Sequence, residues 1–150
     1  MPRHAALAVL AVSVTLAAAA PVRHAGEWEV TVGNAPPRLV CFSKDETFDQ
    51  TSLTRAIGAA PGRSCTITKL ETVGDVTSFA TQCTFNGTTI ASAGTVTQTG
   101  PDAFTAKVHL DGGPMNLPDG RTYTMPARDI VNVSRRVGPC KPGDHQMPNN

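Results

Sequence analysis

The stretch CTITKLETVGDVTSFATQC, residues 65–83, begins and ends with a cysteine and has Gly74 at its midpoint. Glycine favours a turn, and the threonine and valine on either side favour strands. If Gly74 is the middle of a three-residue turn, Cys65 lies directly opposite Cys83 in an antiparallel hairpin. Opposed residues of a non-hydrogen-bonded pair have Cα atoms about 4.5 Å apart, a separation that a disulfide accepts. The stretch therefore predicts a β-hairpin closed by a disulfide at its open end.

The same register predicts which other residues face each other across the hairpin. Thr72 is expected opposite Val76, and Ile67 opposite Thr81. Ile67 and Phe79 share the face of the two cysteines, so we expect that face to be covered. A slip of one residue would turn every side chain of a strand to the other face.

The other two cysteines, Cys41 and Cys140, then pair with each other and close most of the chain into one loop. Pairing of Cys41 with Cys65 and of Cys83 with Cys140 is the alternative. The 4 cysteines are widely spaced and form no CxxC motif, so no zinc site is expected. The even count leaves no thiol over for catalysis, and we predict no metal and no other cofactor.

The N-terminus has the pattern of a secretory signal peptide. A short basic start (residues 1–4) precedes an uncharged apolar run (residues 5–16) and four alanines (residues 17–20). The sequence predicts a signal peptide over residues 1–20, cleaved after Ala19 or Ala20; the alternative is a retained N-terminal helix. Export places all four cysteines in an oxidising compartment, so the expected location is periplasmic or secreted.

The charge of the exported part argues against several classes of partner. Without Arg3, twelve basic residues of the original 13 balance the 12 acidic residues. This balance gives no basic excess for nucleic acid or for an anionic membrane surface. The apolar run is too short for a permanent membrane anchor, which needs about 20 residues. Partners are therefore expected among envelope proteins or small ligands, and the chain is expected to be a monomer.

Alternation of apolar and polar residues predicts about seven short strands. In residues 26–32, Trp28, Val30 and Val32 share one face while charged or polar residues occupy the other. Residues 103–110 alternate in the same way. Further strands are predicted over residues 38–42, 88–99 and 122–137, the last bent near Pro126.

One short helix is predicted after the second strand. Ser43 and Glu46 have the spacing of a capping box, which predicts a helix over residues 44–57. Residues 111–120 are rich in glycine and proline and predict a loop. The expected fold is mainly β: an antiparallel sheet, half-barrel or sandwich-like, in a single domain over residues 21–140, followed by a flexible tail over residues 141–150.

Four segments together carry a resemblance to a known family: GEWEVTV (26–32), RLVCFSKDE (38–46), SCTITKLETVGDVTSFATQC (64–83) and SRRVGPC (134–140). In their order and spacing they resemble exported bacterial proteins known only as domain of unknown function 3617. The most specific parts are the GxWE start and the RRxGxC end. The resemblance implies a periplasmic or secreted protein and supplies no reaction.

Few residues have the chemistry of a functional site. His109, near Asp111, is a candidate base or metal ligand, although a solvated strand histidine is the simpler interpretation. Trp28 is a candidate for stacking on a ligand, although core packing is its simpler role. Arg135 and Arg136 point to opposite faces; one suits an ion pair or a carbonyl contact, and the other an anion.

Two acidic residues next to the tryptophan have a further interpretation. Glu27 and Glu29 would lie about 7 Å apart on one strand face, a separation that would suit paired carboxylates acting on a sugar. We favour the simpler interpretation, a charged sheet edge that prevents association with another sheet.

Three functional hypotheses follow. The first is a non-enzymatic binding or interaction module of the cell envelope. The second is a small carrier of lipids or other hydrophobes, although the scarcity of aromatic and long aliphatic residues argues against a roomy apolar pocket. The third is a hydrolytic or metal-dependent enzyme that uses His109 and Asp111.

Overall fold

The computed structural model describes residues 20–58, 63–85, 87–117 and 119–143. Most of the expected signal peptide (residues 1–19) and most of the expected tail (residues 144–150) lie outside the described residues. The elements in chain order are β1 (Val22–Arg23), β2 (Gly26–Val32), β3 (Arg38–Phe42), β4 (Glu46–Thr47), α1 (Gln50–Gly58), β5 (Arg63–Val73), β6 (Val76–Phe85), β7 (Thr88–Gly100), β8 (Ala103–Leu110), β9 (Gly113–Asn116), β10 (Thr122–Met125) and β11 (Arg128–Gly138).

Seven of these strands form one antiparallel sheet in the spatial order β3-β2-β11-β8-β7-β6-β5. Strands β5 to β8 pair successively along the chain, and β11 lies between β8 and β2. The end strands β3 and β5 are not paired with each other, so the sheet is an open half-barrel. The predicted fold class, mainly β and antiparallel with one short helix, is confirmed.

The inner face of the sheet carries the core. Trp28, Phe42, Val96 and Phe104 are buried together, although they come from four different strands. The ring centroids of Trp28 and Phe104 are 5.7 Å apart, and those of Phe48 and Phe104 are 4.9 Å apart. The alternation in β2 and β8 places these rings on one side, as the sequence predicts.

The hairpin of β5 and β6 has the predicted cysteine pairing but a different turn. Val73 pairs with Val76 across a two-residue turn, so Thr72 faces Thr77, and the predicted pairing of Thr72 with Val76 is wrong. A β-bulge between Ile67 and Lys69 adds one residue to β5 and restores the predicted register below it. Ile67 therefore faces Thr81, and Cys65 faces Cys83.

The face that the cysteines share is covered, as predicted. On β6, Thr77 and Thr81 of this face are 0% and 3% exposed, whereas Gln82 of the other face is exposed. Cys65 is bonded to Cys83 and Cys41 to Cys140, the two pairs that the sequence analysis favours.

The helix begins later than predicted. It starts at Gln50, and Asp49 is its N-cap: Asp49 Oδ1 accepts from the Ser52 amide at 2.9 Å, and Ser52 Oγ accepts from the Asp49 amide at 3.0 Å. Glu46, predicted to lie in the helix, belongs to β4 and forms an ion pair with Arg23 of β1. The local capping pattern was therefore overridden by a contact from a distant part of the chain.

The predicted loop over residues 111–120 is also wrong in part. Residues Gly113–Asn116 form β9, which pairs with β10 in a two-stranded hairpin. This strand was not predicted because it contains glycine and proline, which are both disfavoured in sheets. In the described ranges no helix is long and apolar enough to cross a membrane.

Candidate functional site

The inner face of the half-barrel holds a cavity of ≈ 740 Å³. This volume lies within the range of roughly 300–1,000 Å³ that is typical of small-molecule sites. Its apolar walls come from β2, β3, β7 and β8 and from the segment before α1: Val30, Val32, Val40, Phe42, Phe48, Val96, Phe104 and Ala106. The expectation that the chain lacks a roomy apolar pocket is therefore wrong. Open curvature of the sheet creates the space, and few large side chains are needed to line it.

Arg23 forms one end of this cavity. The centre of its guanidinium lies 3.5 Å from the centroid of the Phe42 ring and 5.8 Å from that of Phe48. Burial lowers the pKa of Arg23, and the ion pair with Glu46 opposes that shift. An arginine nevertheless stays charged at neutral pH, so Arg23 is a buried cation that Glu46 neutralises.

Arg38 and Asn132 lie at the opposite end of the cavity. Arg38 pairs with Val30, and Asn132 pairs with Val32 and with Ala106, so both side chains are on the inner face. The Arg38 guanidinium is exposed and forms no hydrogen bond or ion pair within the described residues. Asn132 Oδ1 is buried and has no hydrogen-bond partner there either. This end of the cavity therefore offers a cation and a buried hydrogen-bond acceptor that both lack partners among the described residues.

A second, smaller cavity of ≈ 390 Å³ lies at the other end of the inner face. Met115 and Met125 of the β9–β10 hairpin line it, together with Phe85, Leu110 and Arg128. Phe79 and Val108 also line this cavity, and the Phe79 ring lies close to the backbone of Gly94. The hairpin that the sequence analysis missed thus contributes to a site.

His109 lies on the outer face, away from both inner-face cavities, where it lines an open depression of ≈ 550 Å³ together with Lys107 and Asp129. Its Nδ1 is 2.7 Å from Asp129 Oδ1, and its Nε2 is 3.5 Å from Asp111 Oδ1. The hydrogen bond to Asp129 raises the pKa of His109, and the charges of Asp129 and Asp111 add to that rise. Both ring nitrogens therefore face carboxylates, which favours the imidazolium form. Among the residues that the structure describes, no group of three or more His, Cys, Asp or Glu side chains could hold a metal ion.

The structure gives each remaining candidate a definite environment. Trp28 is 0% exposed, and its indole N–H donates to the His24 carbonyl at 2.9 Å, so its ring is part of the core. Arg136 Nε donates to the Ala25 carbonyl at 2.8 Å, which is the predicted carbonyl contact. Arg135 is exposed on the outer face and pairs with Glu29 at 3.1 Å.

Glu27 is not part of a charged edge, and that interpretation is wrong. Strand β2 lies between β3 and β11, and Glu27 is only 3% exposed. Its Oε2 accepts from Lys141 Nζ at 3.0 Å. Residue 141 follows the Cys41–Cys140 disulfide, so the segment after β11 is fastened to the outer face at two adjacent points.

Sequence reasoning missed the residues that define the larger cavity: Arg23, Arg38 and Asn132. A signal for Arg38 was present, because it lies two and four residues before Val40 and Phe42 on the same strand face. A charge on the apolar side of a strand is an inward-pointing charge. No comparable signal marks Arg23 or Asn132, which reach the cavity only through the pairing of distant segments.

Comparisons with known proteins give a family and no function. The model of the family described as "Protein of unknown function (DUF3617)" matches residues 23–140, and the chain belongs to that family. No curated protein and no solved structure matches the chain.

Proposed function

We propose that this member of the DUF3617 family is a non-enzymatic binding protein of the bacterial periplasm or exterior that holds a small apolar ligand in its larger inner-face cavity. The observation that carries the proposal is the ≈ 740 Å³ cavity, with its mainly apolar lining, on the inner face of an open half-barrel. Binding sites of this kind combine apolar walls with a few polar groups that orient the ligand.

Two features support export. Both disulfides join residues far apart in the sequence, with separations of 99 and 18, and such bonds persist in oxidising compartments. The basic, apolar and small-residue segments at the N-terminus have the order of a signal peptide. The surroundings of His109 give no support to the enzymatic alternative, because its two ring nitrogens are engaged by Asp129 and Asp111.

Native mass spectrometry and displacement of a neutral naphthylamine dye test the proposal. The protein should bind the dye, and apolar competitors should displace it. Ala106→Phe, which fills the cavity, should abolish dye binding. Ala93→Phe is the matched control, because Ala93 is exposed on the outer face of the neighbouring strand. Equal binding by both variants, or no binding by the unmodified protein, would contradict the proposal.

A second candidate function is recognition of another envelope protein through the outer face. Leu39, Val131 and Val133 are 52%, 43% and 48% exposed on that face. Exposed apolar clusters of this kind mark interaction surfaces. Cross-linking in intact cells with and without Val131→Ser and Val133→Ser tests it; an unchanged cross-linking pattern would remove the support.

A further inference from the structure

We infer that the larger cavity binds a single-chain anionic amphiphile, whose acidic head pairs with Arg38 and whose apolar chain extends toward Phe42 and Phe48. This inference rests on the proposed function and adds the chemical class and the orientation of the ligand. Three features of the cavity carry it: its polarity along β3, its charge and the unsatisfied Asn132.

The cavity has an exposed cationic end at Arg38 and an aromatic end at Phe42, where Glu46 neutralises the charge of Arg23. Arg38 and Phe42 are four residues apart on β3, which is about 13 Å in an extended strand, and both face inward. Phe48 and Phe42 both lie near Arg23 at one end of the cavity, whereas Arg38 and Asn132 lie beside Val30 and Val32. Phe104 is in the same cross-strand row as Val30 and Arg38, so it lines the middle of the cavity. A ligand that matches this arrangement has one polar head and one apolar chain.

The charge of the cavity selects an anion. Its described lining contains two arginines and no acidic side chain. Arg23 is paired with Glu46, which also lies 3.6 Å from Arg55, whereas Arg38 has no charged partner in the described parts of the chain. A guanidinium presents a planar fork of donors that fits a carboxylate or a phosphate. Charge complementarity therefore favours an acidic head at Arg38.

Asn132 adds a requirement for a hydrogen-bond donor. A buried acceptor without a partner is costly, and a ligand that supplies the missing donor removes that cost. Below its second pKa of about 6, a phosphate monoester carries both a negative charge and an O–H group, whereas a carboxylate carries only the charge. At about pH 5.5 lauryl phosphate should therefore bind more tightly than laurate, and Asn132→Leu should reduce that preference.

Isothermal titration with four ligands of equal chain length tests the inference: lauryl phosphate, laurate, lauryl alcohol and lauryl trimethylammonium. Both acids should bind at least about tenfold more tightly than the alcohol, and the ammonium compound should bind most weakly. Arg38→Ala should lower the affinity for both acids to that for the alcohol and leave the affinity for the alcohol unchanged. Arg38 is exposed, so this variant should fold normally.

Arg128→Ala is the matched control, because Arg128 is an exposed arginine that lines the second cavity. Loss of acid binding in Arg128→Ala but not in Arg38→Ala would overturn the inference. Equal affinity for acids and alcohol would overturn it as well, yet leave the proposed function intact. Failure of all four ligands to bind would overturn both. Binding only to phosphatidylglycerol vesicles, with none to monomeric lauryl phosphate, would also overturn the inference.

Discussion

The side chain of Arg136 occupies the space directly against Gly26. A Cβ atom on Gly26 would lie 2.6 Å from Arg136 Nε and 2.5 Å from the carbonyl oxygen of Gly138. The φ angle of Gly26 is +141°, in a region that other residues rarely adopt. The GxWE segment at the start of the sheet and the RRxGxC segment at its end therefore fit together at this point.

Gly26→Ala should destabilise the fold by about 2–4 kcal/mol, because it combines backbone strain with a clash against two backbone-anchored groups. Chemical denaturation followed by Trp28 fluorescence measures the change. Gly113→Ala is the control, since a Cβ there meets nothing within 4 Å and the φ angle of Gly113 is not positive. Equal stability of the two variants would contradict the account of Gly26.

The two disulfides should contribute unequally to stability. In the chain-entropy model the Cys41–Cys140 bond, with a separation of 99, contributes about 4.7 kcal/mol, and the Cys65–Cys83 bond, with a separation of 18, about 3 kcal/mol. The double serine variant of the first pair should therefore unfold at a lower denaturant concentration than that of the second. The opposite order would show that contacts in the native state, such as Glu27 with Lys141, outweigh the length of the loop.

The bulge in β5 makes the hairpin tolerant of one particular deletion. Thr68 is the residue without a direct partner, so its deletion should join the two correctly registered halves of the strand and keep Cys65 opposite Cys83. Deletion of Gln82 on β6 is the control, because it should move Cys83 opposite Thr66 and onto the other face, and loss of the bulge in β5 cannot compensate for it. Peptide mapping without reduction should find the Cys65–Cys83 bond after the first deletion only. Its loss in both variants would contradict this register.

The same hairpin shows how far sequence reasoning reaches. Counting inward from Cys65 and Cys83 gave the right pairing at the open end, because the assumed three-residue turn and the actual turn plus bulge contain the same number of residues. The strands were predictable for a local reason: alternation of side chains between two faces is a property of neighbouring residues. The bulge at Thr68 does not disturb the alternation seen in the sequence, since threonine is found on either face of a strand.

The cavity and the start of the helix could not be predicted, because both depend on contacts between residues far apart in the sequence. Arg38 and Asn132 are 94 positions apart in the sequence and line the same cavity only because of the strand order β3-β2-β11. Likewise, Glu46 has the spacing of a capping residue, but its pairing with Arg23 requires β1 to lie beside β4. Local patterns predict elements, whereas the order of those elements decides which side chains meet.

The true cap of α1 gives a further prediction. Ser52→Ala removes the oxygen that accepts from the Asp49 amide and also donates to the Thr47 carbonyl, so it should destabilise the protein by about 1–2 kcal/mol. Thr51→Ala, one residue earlier and exposed, is the control and should change stability by less than about 0.5 kcal/mol. Thermal unfolding measures both, and equal losses would contradict the role of Ser52.

Stability should fall as pH rises through the titration of His109. The hydrogen bond to Asp129 raises the pKa of His109 in the folded protein, so the folded state holds the proton more tightly than the unfolded state. The resulting stabilisation is fully present below about pH 6.5, the unfolded value, and is lost as pH rises through the higher folded pKa. The difference in melting temperature between the unmodified protein and His109→Gln should therefore shrink as pH rises above about 6.5 and passes through the folded pKa. Asp129→Asn should largely remove this dependence, and a difference that is constant across the range would contradict the contact.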